Sequence, residues 1–140
     1  MSTAQEERYE LVSIGRIEST LTDRREAPRQ GDEGAPEAWI DVDQRYAEAL
    51  EGVEVGQQVL LITWLHRANR EVMKTRPRNN PAAALTGIFA TRSPDRPNPL
   101  GLHRVTILEL RGLRLRVGPL EAIDGTPVVD IKPVINRADG

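Results

Sequence analysis

Apolar and polar residues alternate over much of this chain, and a period of two marks half-buried strands. Leu113, Leu115 and Val117 alternate with Arg114 and Arg116. Just before them, Leu102 to Leu110 reads as another strand, and Arg111-Gly112 is a tight connection, so the two should form a hairpin. Val59 to Leu65 (VLLITWL) is a continuous run of strand formers, the pattern of a strand buried on both faces. Leu11 to Ile17, Leu85 to Thr91 and Val128 to Ile131 bring the expectation to at least six short strands. One helix is expected, with Asp43 as its cap, Tyr46, Ala47 and Leu50 on one face, and Gly52 at its end. Residues 19–38 and 67–84 lack periodicity and contain proline, and connections this long are usually functional or disordered. The predicted fold class is all-β to β-rich, a small barrel.

A chain of 140 residues is expected to form a single domain, 1–140, with 1–10 flexible and no additional C-terminal domain. It has no cysteine, which excludes disulfides, Cys-ligated metals and thiol catalysis. His66 and His103 are its two histidines, so a His-rich metal site is excluded and no metal is expected. No apolar run approaches the ~20 residues of a membrane span. The first ten residues are polar and acidic, without a signal-peptide core, and the expected location is cytoplasmic. The net charge of −2 hides an uneven distribution: residues 67–116 hold eleven Lys/Arg against three Asp/Glu, whereas 1–66 hold six against fourteen. Either the basic segment steers an anionic partner to one face, or basic and acidic segments lie opposite each other in the fold.

Nucleotide-binding signatures are absent: the chain has neither a G-x-G nor a P-loop. The chemistry concentrates in Gly87 to Leu102 (GIFATRSPDRPNPLGL), where Pro94, Pro97 and Pro99 stiffen a loop that carries Arg92 and Arg96. Two guanidiniums held on such a loop make a clamp for a carboxylate or phosphate, unless they pair with local acids such as Asp95. Ile123 to Ile135 (IDGTPVVDIKPVI) opens on Asp124-Gly125, a strong turn signal ahead of a strand. Its amides could hold a flat heterocycle, glycine permitting close approach, or it is an ordinary hairpin turn.

The string FATRSPDRPNPLGL followed by DGTPVVDIKP resembles the TsaA/TrmO-like family of S-adenosylmethionine-dependent methyltransferases. IGRIES near the start, PRQ at 28–30 and WLH at 64–66 match in the same order, so the resemblance spans roughly residues 11–139. It implies a small single-sheeted β-barrel with one or two short helices and long functional loops, dimerising, with S-adenosylmethionine near the subunit interface. The implied activity is methylation of N6 of N6-threonylcarbamoyladenosine next to the anticodon of tRNA. Carried over by motif, the cofactor contacts would be Pro28, Arg29 and Gln30; His66 and Arg67; Arg92; Leu102; and Ile123, Asp124, Gly125 and Thr126. The catalytic residue is unassigned. His66 or Asp130 could accept the N6 proton, and His103, where the family usually carries Ser, either faces the acceptor or is a surface strand residue together with Arg104. Gln57-Gln58 and Pro133-Val134 also depart from the family pattern. Arg67, Arg70, Lys74, Arg76 and Arg78 would track tRNA phosphates. Methylation of a small-molecule acceptor and a non-catalytic S-adenosylmethionine-binding module are the alternatives.

Overall fold

Alternating strands bury one face best by curling that face into a common interior. The computed structural model describes residues 6–23 and 34–135 and does so with β1 (Gly15–Glu18), β2 (Ala38–Val42) and β3 (Gln58–Trp64). A separate arm follows, β4 (Lys74–Thr75) paired with β5 (Thr86–Gly87). Then come β6 (Leu100–Arg111), β7 (Arg114–Gly118) and β8 (Pro127–Pro133). Six of these strands close into a barrel in the order β1-β2-β7-β6-β3-β8, and every neighbouring pair is antiparallel. Closure removes the unpaired edges that an open sheet would expose.

Side chains at alternate positions fill the interior: Ile17, Ile40, Val59, Leu61, Val105, Ile107, Leu115, Val117 and Val128 are all almost completely buried. Register shifts between Ile62 and Thr63 on β3 and between Ile107 and Glu109 on β6 supply bulges, which help so small a sheet bend shut. The β6–β7 hairpin and β8 form as expected.

Other elements differ from expectation. β1 begins at Gly15, because its ladders to β2 and β8 both end there; Leu11 and Val12 are exposed. β2 was not expected; it starts at the last residue of the stretch read as aperiodic, and its Ala38, Ile40 and Val42 alternate inward. β3 is buried on its inner face alone, with Leu60, Ile62 and Trp64 half-covered outside. The expected strand over 85–91 keeps two paired residues and then tightens into a 3-10 turn at Ile88–Ala90. The helix is a 3-10 segment, Gln44–Leu50, capped by Asp43 as expected; Tyr46 and Leu50 pack on the core and Ala47 is exposed.

Antiparallel order sends the connections to two ends. At one end lie the short 112–113 turn and the 3-10 segment, beside a hollow of about 300 Å³ lined by Tyr46, Leu50, Val53 and Ile131. The other three connections, 19–37, 65–99 and 119–126, all leave from the other end, which thus carries the two longest.

Candidate functional site

The 123–126 turn is tied to β1 by bonds from both sides. Gly125 N–H donates to Ile17 O (2.7 Å), Asp124 N–H donates to Leu21 O (2.6 Å), and Ser19 N–H donates to an Asp124 carboxylate oxygen (3.0 Å). Arg16, outward on β1, adds a guanidinium bond to Gly125 O (3.1 Å). Gly125 has φ +81°, the left-handed conformation that favours glycine. Thr126 and Ile123 are buried, with the Thr126 hydroxyl donating to Ile123 O (2.7 Å), so Asp124 and Gly125 are the outward positions. Thr126 N–H also donates to Ile123 O (3.2 Å), so the amides of 124–126 are all committed within the chain. The expectation that these amides recognise a heterocycle is therefore corrected: a ligand here would meet the Asp124 carboxylate edge and the glycine surface.

His66 and Arg67 leave the end of β3 and meet the same group. Arg67 donates to Thr22 O (3.0 Å). His66 is exposed, yet partial burial, and after it the charges of Arg67 and Arg16, hold its pKa below the ordinary value near 6.5. The imidazole is thus neutral at neutral pH and able to accept a proton. The 65–70 segment also carries the third piece of the site. Leu65 N–H donates to Pro99 O (2.8 Å), Asn69 N–H to an Asp95 carboxylate oxygen (2.8 Å), and Arg70 to Pro97 O (2.7 Å). The proline-stiffened loop is thereby docked beside His66.

The two arginines on that loop have different jobs. Arg96 donates to Thr91 O (3.0 Å), Ser93 O (3.1 Å) and Ile88 O (3.2 Å), which makes it an internal strut. Arg92 is exposed and takes no part in that strut, so the expected two-arginine clamp reduces to Arg92. Leu102 sits exposed on the outer face of β6, opposite Ile62 of β3.

The structure separates the other candidates from this group. Asp130 is exposed on β8 and lines the hollow with Gln57 and Pro133, at the end away from the long connections. His103 is 5% exposed and points into the barrel, so it is neither a surface strand residue nor open to an acceptor from outside. Its strand parity decides this, since Gly101, His103 and Val105 share the inner face of β6. Arg104, outward, donates to Gln58 (3.1 Å). Pro28, Arg29 and Gln30 lie outside the described residues. Among the described residues no group of three or more His, Asp or Glu is placed to hold a metal, and no helix is long and apolar enough to cross a membrane.

Arg16, Thr63 and Glu121 are the residues that sequence reasoning missed. Two of them left a signal: Thr63 is the one polar residue in VLLITWL, and Glu121 is the one acid in VGPLEAI. Arg16 left none, because an outward arginine on a strand is ordinary.

Comparison with known proteins bears on the same region. A family model described as the tRNA-methyltransferase O N-terminal domain matches residues 16–140. A probable S-adenosyl-L-methionine-binding protein of Methanothermobacter thermautotrophicus is 40% identical over 126 residues, 90% of this chain and 90% of that protein. An S-adenosyl-L-methionine-binding protein of Archaeoglobus fulgidus is 38% identical over 122 residues, 87% of this chain and 86% of its own length. The crystal structure of TrmO from Pseudomonas aeruginosa matches with a TM-score of 0.76 at 30% identity, covering 97% of this chain and 59% of that one. The chain therefore spans about three fifths of that TrmO chain. With its barrel, its docked proline loop and a family match that begins at Arg16, the chain belongs to the TsaA/TrmO-like family that its motifs resemble.

Proposed function

We propose that this protein is an S-adenosylmethionine-dependent methyltransferase that acts on N6 of N6-threonylcarbamoyladenosine in tRNA. The observation that carries the reading is the convergence of three connections at one end of the barrel. They bring His66, Arg67 and the 123–126 turn together and dock the loop of Arg92 against the same segment. The donor set fits the cofactor: the exposed Arg92 guanidinium suits a carboxylate, and the His66 imidazole, its pKa held down, repels a sulfonium less than a charged one would. When bound, S-adenosylmethionine supplies a methyl group on a positively charged sulfur, ready for in-line displacement.

The chain's residues then have separable tasks. Arg92 would hold the carboxylate of the cofactor. His66 would accept, at an imidazole nitrogen, the proton that N6 loses as it takes the methyl group in exchange for a neutral thioether. The remaining work is positioning, which is worth up to ~7–11 kcal/mol in favourable cases. Lys74, Arg76 and Arg78 lie on the arm and its loop, in reach of a polyanion that approaches this end. Met73, Leu85 and Phe89 on the same arm are exposed, as are Leu100 and Leu102 on β6. Apolar side chains left open in this number suit a second copy of the chain, and we propose a homodimer.

Calorimetric titration with S-adenosylmethionine tests the reading. Wild type should bind, and Arg92→Ala should lose at least about tenfold in affinity, as expected for a charge-assisted hydrogen bond. Unchanged affinity would remove Arg92 from the site. Methyl transfer to tRNA that carries the threonylcarbamoyl group, and none to tRNA without it, would establish the acceptor. Binding without transfer to either would favour a non-catalytic module. Sedimentation of wild type and Phe89→Glu checks the dimer: the variant should shift to monomer.

A further inference from the structure

Inside the barrel, at the end that bears the long connections, three polar side chains form a chain of their own. His103 Nε2 lies 2.7 Å from Thr63 Oγ1, and His103 Nδ1 lies 2.5 Å from Glu121 Oε1. Nδ1–H donates to the Glu121 carboxylate, and in the neutral imidazole Nε2 then accepts from the Thr63 hydroxyl. Thr63 is wholly buried, His103 is 5% exposed, and the Glu121 side chain is 16% exposed. The neighbouring Gly101 makes room for them: a Cβ there would sit 2.6 Å from His103 Nε2 and closer still to Thr63 Oγ1. The hydroxyl has no access to solvent, which excludes a nucleophilic role for Thr63.

The placement of the three residues gives the chain another use. Thr63 belongs to β3 three residues before His66, His103 belongs to β6, and Glu121 lies two residues before Ile123 in the connection that carries the turn. From the β1 side the turn is held through Ile17 O, Leu21 O and Arg16. From the β3–β6 side, it is Glu121 that ties this connection to the barrel wall. We propose that Thr63, His103 and Glu121 form a positioning relay that fixes the Ile123–Thr126 turn relative to His66. In its effect on binding, this rests on the reading of that turn as a cofactor contact. A buried relay suits the task because each bond is made away from competing water, and loss of one end leaves a buried polar group unpaired.

The test uses the full chain with Glu121→Ala and Glu121→Gln; Gln keeps a carbonyl oxygen to accept from Nδ1–H. Amide hydrogen exchange is measured without ligand, and S-adenosylmethionine affinity by calorimetry. In Glu121→Ala the Asp124 and Gly125 amides should exchange about tenfold faster, while those of Ile40 and Leu115 keep their wild-type rates. Affinity should fall about tenfold, and Glu121→Gln should restore both readouts to within about threefold of wild type. Unchanged exchange at Asp124 and Gly125 overturns the proposal, as does an acceleration shared equally by the core amides. A turn that loosens in Glu121→Ala, in a protein whose wild type binds no S-adenosylmethionine, upholds the relay and overturns the cofactor reading instead.

Discussion

On the outer wall of β1, β2, β7 and β6, Arg114 and Arg116 each bridge two carboxylates. At the end with the long connections, Arg70, Arg76 and Arg96 donate instead to main-chain carbonyl oxygens. Arg114 reaches Asp41 and Glu18, both at 2.6 Å; Arg116 reaches Glu37 at 2.6 Å and Glu109 at 3.1 Å. Arg111 joins Glu109 at 2.6 Å, and Trp39 lies under the guanidiniums of Arg111 and Arg114. A carboxylate cancels an arginine's charge, whereas a carbonyl oxygen fixes its geometry and leaves the charge outward. The basic excess over 67–116 therefore includes arginines of two kinds. The wall arginines are part of a ladder in which carboxylates offset their charge, whereas Arg70 and Arg76, exposed and bonded to carbonyl oxygens, keep an outward charge that an anion can meet. Charge counted along a sequence overstates the wall and says nothing of where the rest points.

The largest test of this contrast is an exchange of charge between the two regions. Replacing Arg70, Lys74 and Arg76 by Gln should weaken tRNA binding about 30- to 100-fold at low salt and flatten its salt dependence by about one unit of slope per lost phosphate contact. Arg114→Gln with Arg116→Gln should change tRNA binding by less than about twofold. Equal losses in filter-binding titrations would erase the distinction. A sharper version separates charge from geometry. Arg96→Lys keeps the charge but loses the planar fork that spans three carbonyls, so the loop of Arg92 should loosen and S-adenosylmethionine affinity should fall about tenfold.

Smaller effects follow from the titrating groups. His66 has a depressed pKa in the folded chain, so the unfolded chain binds its proton more readily. Stability should therefore rise with pH from the folded value up to about 6.5 and gain nothing from His66 above it. His66→Gln should remove that slope in denaturation curves between about pH 5 and 7. On the wall, the Arg116 hydrogen bond holds Glu109 below the usual carboxylate range, opposed by its desolvation and aided by Arg111. Its stabilisation is present above about pH 4.3 and is lost as pH falls through the folded value. Glu109→Gln should flatten the acid limb slightly, and added salt should mask part of the difference because the pair is still open to solvent on one side.

Much of the barrel was legible because its signals are local. The arginine–leucine alternation before Gly118 and the Arg111-Gly112 turn specify a hairpin without reference to the rest of the chain. Strand β2 was missed for an equally local reason: its Ala38, Ile40 and Val42 follow directly on a segment rich in glycine, proline and charge. The expected two-sided burial of β3 failed because Leu60, Ile62 and Trp64 look like core residues by type, and only closure of the barrel places them outside. In the site, the proline loop, the WLH segment and the DGT turn were legible as motifs, and they do converge. Their supports were not. Arg16 meets Gly125 across 109 residues, and His103 meets Thr63 across 40.

By itself the sequence determined the strand-rich pattern, the stiff arginine loop, the glycine turn and the family, since each rests on residues close together in the chain. The tertiary structure decided which arginines are paired with carboxylates, which of two loop arginines is a strut, and that His103 faces inward to Thr63 and Glu121. Those outcomes depend on strand register and barrel closure, which bring together partners such as Arg114 and Glu18 from 96 positions apart. A neighbour's identity cannot be read from spacing when the neighbour lies on another strand.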